Sequence, residues 1–211
     1  MRIDEFDLFT FSYFCIPFEQ IAAFLQQQWG NNEKYQLKQT PFKLDLFDKS
    51  PQKGGAHFEK AYFFVPKRHR DKCIMVSNYA DGLTSWVYRI TEALRGKAYS
   101  FCLAKDKQAD TMNAFCCIER GQNLRTVYAM KDPKWTFYSQ GAEQFFEEAH
   151  LYQQKLIRKR MDKRILIAYC TRLGLDITDD LFWKSEQSIL VERVAWRATF
   201  RKRNSIVRLK Q

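Results

Sequence analysis

The chain has 211 residues, of which 45% are apolar, 28% charged and 16% aromatic, with 18 phenylalanines and a formal net charge of +11. That length supports one sizeable domain or two small ones, and the aromatic content excludes a globally disordered chain. No window approaches the roughly 20 apolar residues of a membrane span. The start, Met1-Arg2-Ile3-Asp4-Glu5-Phe6-Asp7, carries three acids where a signal peptide has its basic region, so a cytoplasmic protein without membrane association is expected.

Residues 5–14 read as a strand with aromatics on both parities, hence covered on both faces. Phe18, Ile21, Ala22, Leu25 and Trp29 then recur at three- or four-residue spacing, one stripe of a helix that opens at Pro17. Gly30 suits a left-handed stop to that helix. Residues 34–47 predict one or two strands around Thr40-Pro41, and 48–57 a loop rich in turn residues. Strands are expected over Phe58–Val65 and Cys73–Val76, joined by a basic turn at 66–72. Asp81 can cap a second helix, whose stripe is Leu83, Trp86, Val87, Ile90 and Leu94 and which Gly96 ends. Further strands are expected at 98–104, 112–119, 124–131 and 135–138, the last two separated by Asp132-Pro133. Residues 5–47 and 73–119 share the order strand, helix, strand, strand, an internal repeat of elements without clear identity.

After Gly141 the pattern changes. Residues 143–174 predict two charged helical segments, the second with a face of Ile165, Leu166, Tyr169 and Leu173 closed by Gly174. A turn after Asp179-Asp180 holds Phe182 and Trp183. Residues 191–211 alternate apolar and basic, as an edge strand or a basic tail. The fold expected is α+β: a mainly antiparallel sheet domain over 1–140 with two packed amphipathic helices, and a helical, basic region over 141–211 packed on it.

Catalytic and cofactor motifs are missing from this sequence. It contains no G-x-x-x-x-G-K-[ST], G-x-G-x-x-G or G-x-S-x-G. Asp179-Asp180 and Glu147-Glu148 are adjacent acids, which a helix points apart. The six cysteines lack C-x-x-C spacing and sit mostly in apolar runs, and the three histidines are scattered, so buried reduced thiols are expected rather than a metal centre. No cofactor or small-molecule ligand is implied. Cys116 and Cys117 alternate to opposite sheet faces, and neither has a neighbouring cation in sequence.

Charge is more informative. Lys155, Arg158, Lys159, Arg160, Lys163 and Arg164 are offset only by Asp162, and a second basic set runs from Arg193 to Lys210. On a helix, Lys155, Lys159 and Lys163 would share one face. With Trp183 or Trp196 as a stacking ring, such a surface suits phosphates and bases, yet no nucleic-acid-binding signature accompanies it. It suits an anionic protein surface equally, and a solvated helix face followed by a ragged tail would carry the same charges.

The stretch Trp135-Thr136-Phe137-Tyr138-Ser139-Gln140-Gly141, then Phe146-Glu147, Tyr152, Arg158, Arg160, Tyr169 and Leu173-Gly174-Leu175-Asp176-Ile177, resembles small bacterial immunity-like proteins that accompany polymorphic toxins. The similarity covers about residues 124–183, and its motifs are structural rather than catalytic. It departs from the family pattern at Gln144-Phe145, where an apolar residue is expected before the Phe-Glu step. The resemblance implies a cytoplasmic protein that neutralises a toxin by binding it. The basic balance points to an acidic toxin surface rather than a nuclease site. Glu147 is expected to pair with Arg158 or Arg160 at the surface. Two functions therefore stand: a non-catalytic protein-binding module contacting its partner through Lys155, Arg158, Lys159, Arg160, Lys163, Arg164 and Trp183, or a nucleic-acid-binding protein using the same region. An enzyme with dispersed residues is a third class.

Overall fold

Alternation of aromatic and small residues, punctuated by turn residues, makes strand the commonest regular element among the described residues. A computed structural model describes residues 3–44, 58–67, 69, 72–105 and 111–194. Eleven strands and three α-helices are found among these: β1 (Leu8–Phe14), α1 (Phe18–Trp29), β2 (Tyr35–Gln39), β3 (Phe42–Lys43), β4 (Lys60–Phe64), β5 (Cys73–Ser77), α2 (Thr84–Ala93), β6 (Lys97–Ala104), β7 (Met112–Glu119), β8 (Gln122–Asp132), β9 (Lys134–Gly141), α3 (Lys163–Arg172), β10 (Lys184–Ser185) and β11 (Ser188–Arg193). Nine strands form one sheet in the order β2-β11-β4-β5-β1-β6-β7-β8-β9, every neighbour antiparallel. None of the described helices is long and apolar enough to cross a membrane.

The middle four strands explain the rest. β1 pairs antiparallel with both β5 and β6, so β5 and β6 run parallel with β1 between them, and α2 bridges over it. The order β4-β5-β1-β6, with α1 and α2 on one face, is the split β-α-β arrangement of ferredoxin-like domains. The two strand–helix–strand–strand units read from the sequence are present as element orders. They differ in placement: the strand after α2 lies beside β1, whereas the strand after α1 lies at the far edge. β7, β8 and β9 extend the sheet as a meander, turning at Arg120-Gly121, with φ of 51° and 72°, and at Pro133.

The pleat sends residues to two cores. On one face, Phe14, Met75 and Ala98 meet Ile21, Leu25 and Trp29 of α1 and Trp86, Val87 and Ile90 of α2. On the other, Phe11, Phe101, Phe115 and Val127 meet Phe146, Tyr169, Leu175 and Trp183 from the C-terminal segment. Ile90 is fully buried, so Ile90→Ala is expected to cost about 2–5 kcal/mol. Urea unfolding checks this, and a loss under about 0.5 kcal/mol would contradict it.

Three local expectations are corrected. Gly30 keeps helical torsions, φ −58° and ψ −34°, so no left-handed stop occurs there. Leu83, not Asp81, is the N-cap of α2, with φ 52°, and Asp81 Oδ1 accepts from Leu83 N at 3.0 Å one step earlier. The described part of the C-terminal third is not mainly helical: it contains one helix of ten residues, 3-10 turns at Ala149–Gln153 and Ile157–Lys159, and two strands. Between 143 and 162 the described chain forms only the two 3-10 turns, although Phe145, Ala149, Tyr152 and Leu156 fall at helical spacing. Ser188–Val191 is buried on both faces, which suits an interior strand, and β11 inserts between β2 and β4. The region 141–211 therefore supplies a strand to the sheet of region 1–140. The alternating sequence of residues 195–211, with Trp196, lies outside the described residues.

Candidate partner-binding surface

The segment after β9 is fastened by a buried ion pair. Arg125 lies on β8 at the same parity as Val127 and Ala129, facing the core, where a guanidinium demands a carboxylate. Glu147 supplies it. Arg125 Nε donates to Oε1 at 3.0 Å and Nη2 to Oε2 at 2.7 Å, with 3% and 1% of the two side chains exposed. Glu147 also accepts from Gln144 N at 2.7 Å and Tyr152 OH at 2.7 Å, and Arg125 Nη1 donates to Gly141 O at 2.8 Å. Because Tyr152 donates to Glu147, the 3.0 Å contact between Tyr152 and Tyr169 has Tyr169 as donor. Tyr169 in turn accepts from Glu148 N at 3.0 Å. Every charge is thus met by hydrogen bonds, as burial requires. The surface pairing of Glu147 with Arg158 or Arg160 does not occur, since Glu147 points inward to β8.

Burial works against the charge of Arg125, and the Glu147 carboxylate outweighs it, holding the guanidinium above its ordinary value. Burial, then the bonds to Tyr169 and Glu147, raise Tyr152 far above the usual phenol range, and burial raises Tyr169. Both phenols therefore hold their protons at neutral pH.

The basic residues sit on the surface this network carries. Residues 155–162 form no α-helix, so Lys155, Lys159 and Lys163 share no helical face. The turn Ile157–Lys159 packs on β8 and β9. Lys155, Arg158, Lys159 and Arg164 are exposed, and Lys159 and Arg164 flank a shallow depression of about 320 Å³ with Gln154 and Ala168. Arg160 turns inward instead: its Nε donates to Gln154 O at 2.8 Å and its guanidinium lies 5.6 Å from the Phe137 ring centre. Lys163 is half-buried. Asp162 caps α3, its Oδ1 accepting from Ile165 N at 3.0 Å. Lys163 and Arg164 occupy the first turn, so their charge adds to the positive helix end.

Trp183 is not on this surface. It is 2% exposed, donates Nε1–H to Ile177 O at 2.8 Å and packs edge-on against Phe9 and Phe11. A stacking role at the surface is corrected to a core role. On the helix-bearing face, β6–β8 extend beyond α2 and leave a groove of about 260 Å³ lined by Ser100, Cys102, Ala114, Cys116 and Tyr128. Among the described residues no three His, Cys, Asp or Glu converge as a metal site.

All six cysteines are free thiols. Burial pushes Cys102 up to about 12 and Cys116 and Cys117 up to about 11. Raised values in the folded state give stability that is complete below the unfolded value, near pH 9, and is lost as pH rises through the folded values. The melting temperature is expected to hold between about pH 7 and 8 and to fall steadily from about pH 9. Thermal melts over that range check this, and an unchanged midpoint near pH 11 would contradict it.

No protein-family model, curated protein or solved structure matches this chain.

Proposed function

We propose that this chain is a non-catalytic protein-binding module, a cytoplasmic immunity protein that neutralises a cognate bacterial toxin by covering it. One observation carries the reading. Residues on which the resemblance rests, Phe137, Gly141, Glu147, Tyr152, Arg160 and Tyr169, belong to or pack against the network that fastens residues 141–170 to the sheet. Their role is to hold a preformed surface on which Lys155, Arg158, Lys159 and Arg164 stand exposed. Preorganised charge of this kind speeds encounter with an acidic partner and selects against basic ones. The test is whether a toxin domain is encoded beside this chain and is inhibited by the purified protein. Stoichiometric inhibition is expected; full toxin activity in excess protein would refute the reading.

The exposed cations also favour a second reading, nucleic-acid binding. In split β-α-β sheets that bind RNA, aromatics on the helix-free face stack bases. Here Phe11, Phe101 and Phe115 on that face are buried beneath Trp183, Phe146 and Tyr169. Mixed-sequence DNA and RNA are therefore expected to bind no tighter than about 10⁻⁶ M at physiological salt. Fluorescence titration decides it: sub-micromolar binding lost on neutralising Lys155, Arg158, Arg160 and Arg164 would reverse the ranking.

A further inference from the structure

Among the described residues the large sheet ends at β2 and at β9, and the two edges differ. β2 has five residues and carries Lys38, paired with Glu192 of β11 at 3.5 Å. Short length and charge are how proteins guard an edge against a further strand. β9 has eight residues, and its one charge is Lys134 at the first position. It contains no proline, and the irregularity in its neighbourhood lies between β7 and β8 instead. β8 takes one edge of β9 through eight register pairs from Asp132↔Lys134 to Arg125↔Gly141. Apart from Gly141 O, which accepts from Arg125, no described residue bonds the backbone of β9 on its outer side.

The surroundings of that edge are asymmetric. On one face the turn Ile157–Lys159 packs on β9 and β8, Arg160 lies over Phe137, and Arg158 and Lys159 stand exposed beside the strand. On the other face Tyr138, 39% exposed, stacks on Tyr128 with ring centres 5.2 Å apart and planes at 17°. A strand added to β9 alternates its side chains between these two environments. Carboxylates would meet the cations on the first face, and apolar or aromatic groups would meet the tyrosines on the second.

We infer that the outer edge of β9 receives an extended segment of a partner protein by strand addition, a segment that alternates acidic with apolar residues. Main-chain hydrogen bonds supply the attachment, and alternate side chains supply the selectivity. The inference rests on the protein-binding reading above and names the surface and the partner's chemistry. A nucleic acid offers phosphates to the cations but no donors and acceptors at strand spacing for the edge.

The test uses the full chain and a fluorescein-labelled peptide of about eight residues alternating Glu with Val or Tyr, matched in length to β9. Anisotropy and amide hydrogen exchange are followed together. The peptide is expected to slow exchange in β9 by at least about tenfold, to leave β2 unchanged, and to bind about tenfold more weakly when Glu is replaced by Gln. Arg158→Glu with Lys159→Glu, both exposed, should weaken binding by a similar factor while the melting temperature holds. Equal binding of the Gln peptide, protection away from β9, or displacement of the peptide by oligothymidylate would overturn the inference. So would β9 protection that rises with protein concentration alone, which would assign the edge to a second copy of this chain. If the toxin domain is inhibited without β9 protection, the strand-addition inference falls and the binding reading stands. If the peptide protects β9 and the toxin domain is not inhibited, strand addition stands and the toxin-neutralising part of the reading falls.

Discussion

Replacing Glu147 with alanine is expected to destabilise the protein by about 3–5 kcal/mol, the cost of leaving a buried guanidinium without its counter-charge. Arg125 cannot turn to solvent, because its position on β8 faces the core and its side chain is 3% exposed. The Tyr152 hydroxyl and the Gln144 amide lose their acceptor in the same step. Glu147→Gln keeps the shape and one acceptor oxygen, so its loss should be smaller. A double replacement, Arg125→Met with Glu147→Leu, removes both charges and should recover much of the loss, since an apolar pair of similar volume often replaces a buried ion pair without penalty. Urea unfolding of the three variants measures the series. A cost below about 1 kcal/mol for Glu147→Ala would show that water reaches Arg125.

Trp183→Ala is expected to cost about 3–5 kcal/mol, as emptying a buried aromatic site does. The indole lies between Phe9, Phe11, Phe64 and Phe182, with ring centres 4.9–6.2 Å away, and anchors the turn before β10 and β11. Losing it should therefore loosen β11, whose neighbours are β2 and β4. Trp183→Phe keeps most of the packing and gives up the bond to Ile177 O, at about 1 kcal/mol. Equilibrium unfolding separates the two variants. Near-wild-type stability for Trp183→Ala, with altered ligand binding, would restore a surface role for this residue.

Much of the sheet was legible in the sequence because period-two alternation and turn residues act locally. β7 and β8 lie within two residues of where alternation places them, and Asp132-Pro133 marks the hairpin between β8 and β9. Strand order was not legible, since alternation says which residues face inward and not which strand lies beside which. The return of Ser188–Arg193 to the position between β2 and β4 is a contact across more than a hundred residues with β4. The helical reading of 143–162 rested on heavy charge and a thin apolar face of Leu156, Ile157 and Met161, whereas Glu147 binds Gln144 N and Tyr152 OH and the segment forms 3-10 turns. Arg125 carried a usable signal: an arginine at the parity of Val127 and Ala129 must find a buried carboxylate. Its partner, 22 residues on, had to come from the structure. Trp183 sits next to Phe182 in a short turn, without the periodicity that marks a core residue. The six cations of 155–164 were seen together, but the inward turn of Arg160 depends on Phe137, which only the fold brings near.

On the protein-binding reading, the exposed cations of the 155–164 segment contact the partner. Isothermal titration of a toxin domain found encoded beside this chain into wild type, and into a variant with Lys155, Arg158, Lys159 and Arg164 all changed to Glu, tests it most directly. The account predicts one-to-one binding by wild type and a loss of about a hundredfold or more in the variant, as several like charges would then face an acidic surface. The variant should melt at the wild-type temperature, because these side chains stand outside the Arg125–Glu147 network. Unchanged affinity in a folded variant would contradict the account.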